Sequence, residues 1–413
     1  MTGRARLIAV RRKYASEIPR RTYLTHGVDR YPAKMVPHLA RYAIERVSTA
    51  GQTVLDPFCG CGTVLIESLM TQRHACGLDV NPVAVVLARA KSSVYSTDRL
   101  LRKVEELVDK ARSSRCFDES PAWLQYWFSP VTLRKLLSLR AGLQAGFSHR
   151  RSVYSDLLSA ILAISVRKCS RADPRSPKPF ISKRARRERC GRHFDPYIVY
   201  RSVAAELAKR AGEFFSRIPS QRTSVETRIL DARFLRVSTF RRKVDAVVTS
   251  PPYLAAQDYY RSSKLELAIL GLWKPGVEAT LGSRILGSGR GPLVSPTTEA
   301  SLASASEAIG RLQGVDERSA LTVACYVADM RTVLHRIADM LSPGSRCCFI
   351  LGDCTMCGVK LPVHTWAIEA ARLEGFELYA HEVDAIRDRR LPPKREGHRS
   401  VIDTEHLLFL RRT

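Results

Sequence analysis

"TVLDPFCGCGTVLIESLMTQRHACGLDVNPVAVVLARAKSSV", residues 53–94, decides the fold class. "TVLD" is a short apolar run that closes on an acid, Asp56, and "TVLIESLM" then places its apolar residues at helical spacing. "HACGLDV" repeats the strand pattern and closes on Asp79, after which Asn81 caps and Pro82 opens a second helix. Two strand-to-helix units in succession imply parallel strands joined by right-handed crossovers, hence an α/β fold. Gly60 and Gly62 fall in the turn between the first strand and its helix, where the backbone can approach a ligand at the open end of the sheet. A dinucleotide fold would carry a third small residue three positions after Gly62, and Leu65 stands there. Asp79, ending the next strand, is placed to accept hydrogen bonds from a ribose diol; a glycine turn with a helix-capping acid is the structural alternative.

"VVTSPPYLAAQDYYRSSKLEL", residues 247–267, starts as a buried strand and stops abruptly. Pro251 and Pro252 cannot donate to a sheet ladder, so the strand ends before them. What remains is a polar residue, a rigid Pro-Pro unit and an aromatic ring at a strand end. Such a turn can accept hydrogen bonds from an amino group: Ser250 Oγ and the Pro251 carbonyl are acceptors with no competing amide donor. Tyr253 offers a face on which an extruded base can stack. The segment that follows has helical spacing, with Tyr259, Tyr260, Arg261 and Lys264 as polar contacts and Leu265, Leu267, Ile269 and Leu270 as core.

Together these pieces resemble S-adenosylmethionine-dependent DNA methyltransferases that modify exocyclic amino groups. The likeness rests on Asp56, Phe58, Gly60 and Gly62, on Asp79, and on Ser250, Pro251, Pro252 and Tyr253. It implies a Rossmann-like class I methyltransferase fold, and the apolar patterning reads as a seven-stranded mixed sheet interrupted by a helical basic insertion. It further implies that the glycine turn binds the methionine part of the cofactor, that Asp79 holds its ribose, and that Asp231, closing "RILD", lies near its adenine. "RYPAKMVPHLARYAI", residues 30–44 and including Lys34, resembles the segment that such proteins lay over the cofactor's carboxylate. The likeness covers residues 26–95 and 225–413, and departs from the usual pattern at Cys59 and Cys61, where a serine between the glycines is commoner. Serine opening the tetrapeptide leans to cytosine-N4 in that family, and "DYYRSSKLEL" is similar to a helix of the same branch; adenine-N6 stays open. RNA or protein amino-methylation, and a non-catalytic DNA-binding protein of the same fold, are the alternatives.

The remainder reads as three parts: residues 1–97 as the cofactor half, 98–224 as a helical basic insertion for DNA, and 225–413 as the catalytic half with a flexible Gly/Ser-rich segment at 274–312. Within the insertion, "CSRADPRSPKPFISKRARRERCGRH", residues 169–193, reads as a basic loop too rich in proline for a helix. Arg171, Lys183, Arg184, Arg186 and Arg187 in it are phosphate-gripping candidates, and Arg284 and Arg290 compete with them. The last strands, "FELYAHEVDAI" and "EHLLFLRR", read as a closing antiparallel pair.

Composition agrees with a polyanionic partner. Lys and Arg number 67 against 40 Asp and Glu, a formal charge of +27, which favours duplex DNA through counterion release. The first residues are basic but lack the long apolar core of a signal peptide, and no run reaches membrane-spanning length. The eleven cysteines then read as reduced thiols of a cytoplasmic, prokaryotic protein that works on the nucleoid, as monomer or homodimer, with a restriction endonuclease as a possible companion. Cys354 and Cys357 form a CxxC without a second pair, so no metal site is expected.

Overall fold

The computed structural model describes residues 6–8, 10–113, 120–146, 152–176, 178–219, 222–254, 259–288, 302–386 and 402–413. Its strands are β1 (Arg6–Ile8), β2 (Thr53–Asp56), β3 (His74–Asp79), β4 (Val225–Ile229), β5 (Ala246–Thr249), β6 (Arg346–Leu351), β7 (Cys354–Met356), β8 (Val359–Leu361), β9 (Phe376–Ala385) and β10 (Thr404–Arg412). Among the described residues, eight form one sheet in the order β1-β9-β10-β6-β5-β2-β3-β4, and β7 and β8 form a separate antiparallel pair. The pairs β3/β4, β2/β3, β2/β5 and β5/β6 are parallel, and β10 runs antiparallel between β6 and β9. Outward from β2 the chain runs through β3 and β4; outward from β5 it runs through β6. The order therefore reverses between β2 and β5, which opens a crevice at their carboxyl ends.

Alternate residues of each central strand feed two cores. On one face Leu55, Val247, Phe349, Leu351 and Leu408 pack under the helices Glu317–Met340 and Val363–Leu373. On the other, Val54, Val248, Cys348, Ile350 and Phe409 pack under Pro37–Val47 and Thr63–Met70. Burial on both faces explains why "TVLD" and "AVVT" read as continuous apolar runs. Each such aliphatic side chain contributes roughly 1.5–3 kcal/mol of transfer free energy. A third core joins the helices Thr97–Ser113, Pro130–Gly146, Val153–Cys169 and Pro196–Arg217 to Pro82–Ser92 and Tyr259–Ile269, through Leu107, Leu136, Leu158, Tyr200, Leu207 and Leu265. The helix Tyr259–Ile269 thus packs on helices drawn from residues 98–224.

Three expectations change. The sheet has eight strands, not seven, because the three-residue β1 adds in parallel to the outer side of β9, a pairing too short to leave a periodic signal. Residues 169–193 are not simply a loop: Lys183–Arg189 is a helix, capped by Ser182 Oγ accepting from the Ala185 amide at 3.0 Å. Its prolines all precede that cap, so none interrupts it. Asp173 accepts from Arg175 and from Ser182 Oγ, and Arg189 donates to the carbonyls of Lys168 and Ser170, which ties both ends of the segment down. The 274–312 segment also holds helices, Val277–Arg284 and Ala303–Gln313. Arg290 lies outside the described residues.

Candidate active site

At the β2/β5 crevice lies a cleft, open to solvent at its mouth, whose wall includes Lys34, Asp56, Phe58, Gly60, Asp79, Asp231, Ser250 and Pro252. Residues from five separated stretches of chain therefore converge at one place. Tyr31, Asn81 and Arg284 also face it.

The glycine turn is built by its acids. Asp79 Oδ2 accepts from the Gly60 amide at 3.0 Å, and its Oδ1 accepts from the Asn81 amide at 2.8 Å. Asp56 Oδ1 accepts from the Phe58 amide at 3.0 Å and from Thr249 Oγ1 at 2.6 Å. Burial pushes the Asp56 carboxyl up to about 7 against these donors, and the nearby Asp79 charge adds to the rise. Burial likewise pushes Asp79 up to about 6. Gly60 has φ +50°, and a Cβ on it would stand 3.6 Å from the Tyr31 ring across the cleft. Gly62 serves packing instead: at φ +91°, a Cβ there would come within 3.1 Å of Ala88 Cα, so the glycine lets two helices meet. Two largely desolvated carboxyl groups beside a Cβ-free wall suit a ligand that brings hydroxyl groups to donate.

Other expected residues are placed less simply. Lys34 Nζ donates to Asp29 Oδ1 at 2.7 Å, to the Asp29 carbonyl at 2.6 Å and to the His26 carbonyl at 3.1 Å. Its three donors are thus engaged within the chain. Burial alone would raise the Asp29 carboxyl, but the ammonium groups of Lys34 and of buried Lys91, 2.8 Å from Oδ2, hold it well below the usual carboxylate range. Asp29 and Lys91 were missed in the sequence. Lys91 did leave a signal, since it falls on the helix face of Ala84, Leu87 and Ala88, which is buried. Asp231 accepts from Arg233, which also reaches Asp329 at 2.9 Å.

On the Ser-Pro-Pro-Tyr turn, Pro251 is buried and Tyr253 half-buried, and neither is part of the cleft wall that Ser250 and Pro252 line. The Tyr253 hydroxyl donates to Glu405 Oε1 at 2.8 Å, and its ring lies against Gly352. On the helix Tyr259–Ile269, Arg261 is exposed, but the Lys264 ammonium sits 4.2 Å from the centre of the Trp123 ring. The side chain of Tyr259 lies outside the described residues. In the basic segment Lys183, Arg184, Arg186 and Arg187 are exposed, whereas Arg171 donates to the carbonyls of Gln125 and Tyr126.

In an open α/β sheet, a cleft at the point where the strand order reverses is where a cofactor or substrate binds. Residues 10–90 match the family model described as DNA methylase. The chain is 28% identical over 92 residues to Type II methyltransferase M.MjaII of Methanocaldococcus jannaschii, covering 22% of this chain and 17% of that protein. It is 36% identical over 87 residues to M.MvaI of Kocuria varians (20% and 19% covered) and 24% identical over 290 residues to M.BsoBI of Geobacillus stearothermophilus (63% and 55% covered). Over the matched residues the chain is similar to S-adenosylmethionine-dependent DNA amino-methyltransferases. The matches span less than a fifth of the first two relatives and about half of the third. Among the described residues, no helix is long and apolar enough to cross a membrane.

Proposed function

We propose that the protein transfers the methyl group of S-adenosylmethionine to the exocyclic N4 amine of cytosine in duplex DNA, by base flipping and direct transfer. The observation that carries this reading is the shared cleft wall: Ser250 and Pro252 stand beside Asp56, Gly60 and Asp79. When bound, the cofactor supplies an electrophilic methyl group on a sulfonium. The chain's part is to orient the amine, whose lone pair is delocalised into the ring and is a poor nucleophile. Ser250 Oγ and the Pro251 carbonyl accept the amino hydrogens and favour a geometry in which the lone pair faces the methyl. Those contacts strengthen as positive charge develops on nitrogen, so they act on the transition state. Asp79 accepts from the ribose and Asp231 lies by the adenine, while the exposed arginines of Lys183–Arg189 hold phosphate. In this reading residues 98–224 engage DNA, and the protein acts alongside the nucleoid, with or without a cognate endonuclease.

Incubation with labelled cofactor and mixed-sequence DNA, followed by nucleoside mass spectrometry, tests it. N4-methylcytosine is expected. N6-methyladenine would reassign the base, and label in RNA or protein alone would reassign the substrate. Absence of cofactor binding by calorimetry would leave a non-catalytic DNA-binding protein of the same fold.

A further inference from the structure

Away from the cleft wall, three histidines meet at the same end of the sheet. His364 lies in the first turn of the helix Val363–Leu373, His381 on β9 and His406 on β10, while Asp353 follows β6. In the β9/β10 ladder Val383 pairs with His406 and His381 with Leu408, so the two imidazoles are diagonal neighbours on one face. His381 Nε2 and His406 Nδ1 are 2.9 Å apart. Asp353 holds His364 Nδ1 at 2.8 Å from each carboxylate oxygen, and its Oδ2 lies 3.7 Å from His406 Nε2. One nitrogen from each ring falls within 4.8 Å of the others, and all three side chains are half-buried.

We propose that His364, His381 and His406 form a binding site for a divalent transition-metal ion of the zinc class. Three imidazoles are a donor set suited to such ions, with a fourth position left for water or a carboxylate oxygen. The Asp353 contact has the form that orients a metal-bound histidine: the carboxylate accepts a hydrogen bond from Nδ1–H, which leaves the Nε2 lone pair for a ligand. As hydrogen-bonded neighbours alone, His381 and His406 bring two ring nitrogens together for one shared proton. An ion at about 2.0–2.1 Å from each nitrogen uses both lone pairs. Binding requires one movement. The His364 and His406 rings are stacked, 4.0 Å apart and 3° from parallel, and an ion cannot lie in both planes. His364 must swing out of the stack about its side-chain bonds, while its backbone stays on the helix.

The position gives the ion a role other than chemistry. It would fasten β9, β10 and the helix Val363–Leu373 to the end of β6, where Gly352 carries the Tyr253 ring and Glu405 holds its hydroxyl. Occupancy would therefore stiffen the support of the catalytic turn from behind.

Untagged full-length protein, stripped with chelator and dialysed, is titrated with zinc chloride by calorimetry and with cobalt chloride by visible absorption. One zinc ion per chain and new cobalt d–d bands are expected. His381→Gln and His406→Gln should each weaken binding by about 100-fold or more, while His335→Gln, at the remote exposed pair with Glu374, should leave it unchanged. Nitrogen-15 spectra of the wild-type imidazoles provide the check that needs no variant: zinc should shift three rings. Absence of zinc binding, wild-type zinc uptake by a protein carrying both His381→Gln and His406→Gln, or zinc-induced shifts confined to other histidines would overturn the site.

Discussion

The hydroxyl of Thr249, the last residue of β5, donates to the carboxylate of Asp56, the last residue of β2, across 2.6 Å. The strand that leads into the Ser-Pro-Pro-Tyr turn is thereby bonded to the strand that leads into the glycine turn. Asp56 uses the same oxygen for the Phe58 amide, so one buried atom sets the relative position of both turns.

That buried carboxyl has a pH consequence. Folded, it keeps its proton up to about 7, whereas the ordinary value is 3.8. Between those values the folded state binds the extra proton, so this group's contribution to stability falls as pH rises. Asp56→Asn keeps an acceptor for Thr249 and cannot ionise. Its stability relative to wild type should rise by about 2–4 kcal/mol between pH 4 and pH 8, read by urea unfolding at both values. A difference that does not change with pH would mean that Asp56 ionises normally.

Ser250→Ala should slow methyl transfer by about 2–4 kcal/mol of transition-state stabilisation while cofactor affinity stays nearly intact. Single-turnover kinetics with calorimetry separates the two. With attack from the amino nitrogen, as proposed, no cysteine nucleophile is needed, and DNA containing 5-fluorocytosine should leave no covalent adduct. A trapped adduct would point to ring-carbon methylation.

Asp79→Ala should weaken S-adenosylmethionine by about 1.5–3 kcal/mol, the scale of a charge-assisted hydrogen bond. The substitution also frees the Gly60 and Asn81 amides, so unfolding must be measured beside binding. An unchanged dissociation constant in a folded variant removes Asp79 from the site.

Tyr253→Phe deletes the hydroxyl bonded to Glu405 and keeps the ring on Gly352. It should lower turnover less than Tyr253→Ala, which also removes a stacking surface worth ~1–3 kcal/mol per base. Equal losses would show that the ring does not meet the flipped base.

For DNA, the informative pair is Arg186 and Arg187, both exposed, whereas Arg184 is paired with Glu188 and Arg189 with backbone carbonyls. The double alanine variant should lower the log–log salt slope of DNA binding by about 0.9 for each phosphate it no longer neutralises. Arg189→Ala should act on stability instead. An unmoved slope in the first variant shifts the phosphate site toward Arg284 and its neighbours.

Local chemistry was legible along the chain wherever a residue's role is set by its immediate neighbours. The strand ends at Asp56 and Asp79, the capping Asn81 before Pro82, the stop enforced by Pro251 and Pro252, and the closing β9/β10 pair all follow from periodicity and backbone restriction. The convergence of Asp56, Asp79, Asp231 and Ser250 could be expected only through a family likeness, since nothing in their spacing measures distance across a sheet. Long-range partners left no such trace. Lys34 meets Asp29, Tyr253 turns to Glu405, Lys264 lies on Trp123, and His364 reaches His381 and His406. Helix Lys183–Arg189 depends in the same way on an anchor at Asp173 and on carbonyls beyond its own turn. A side chain's available donors, and hence what it has left for a ligand, are settled by whichever group the packed sheet brings within hydrogen-bonding reach, and that group can stand far away along the chain.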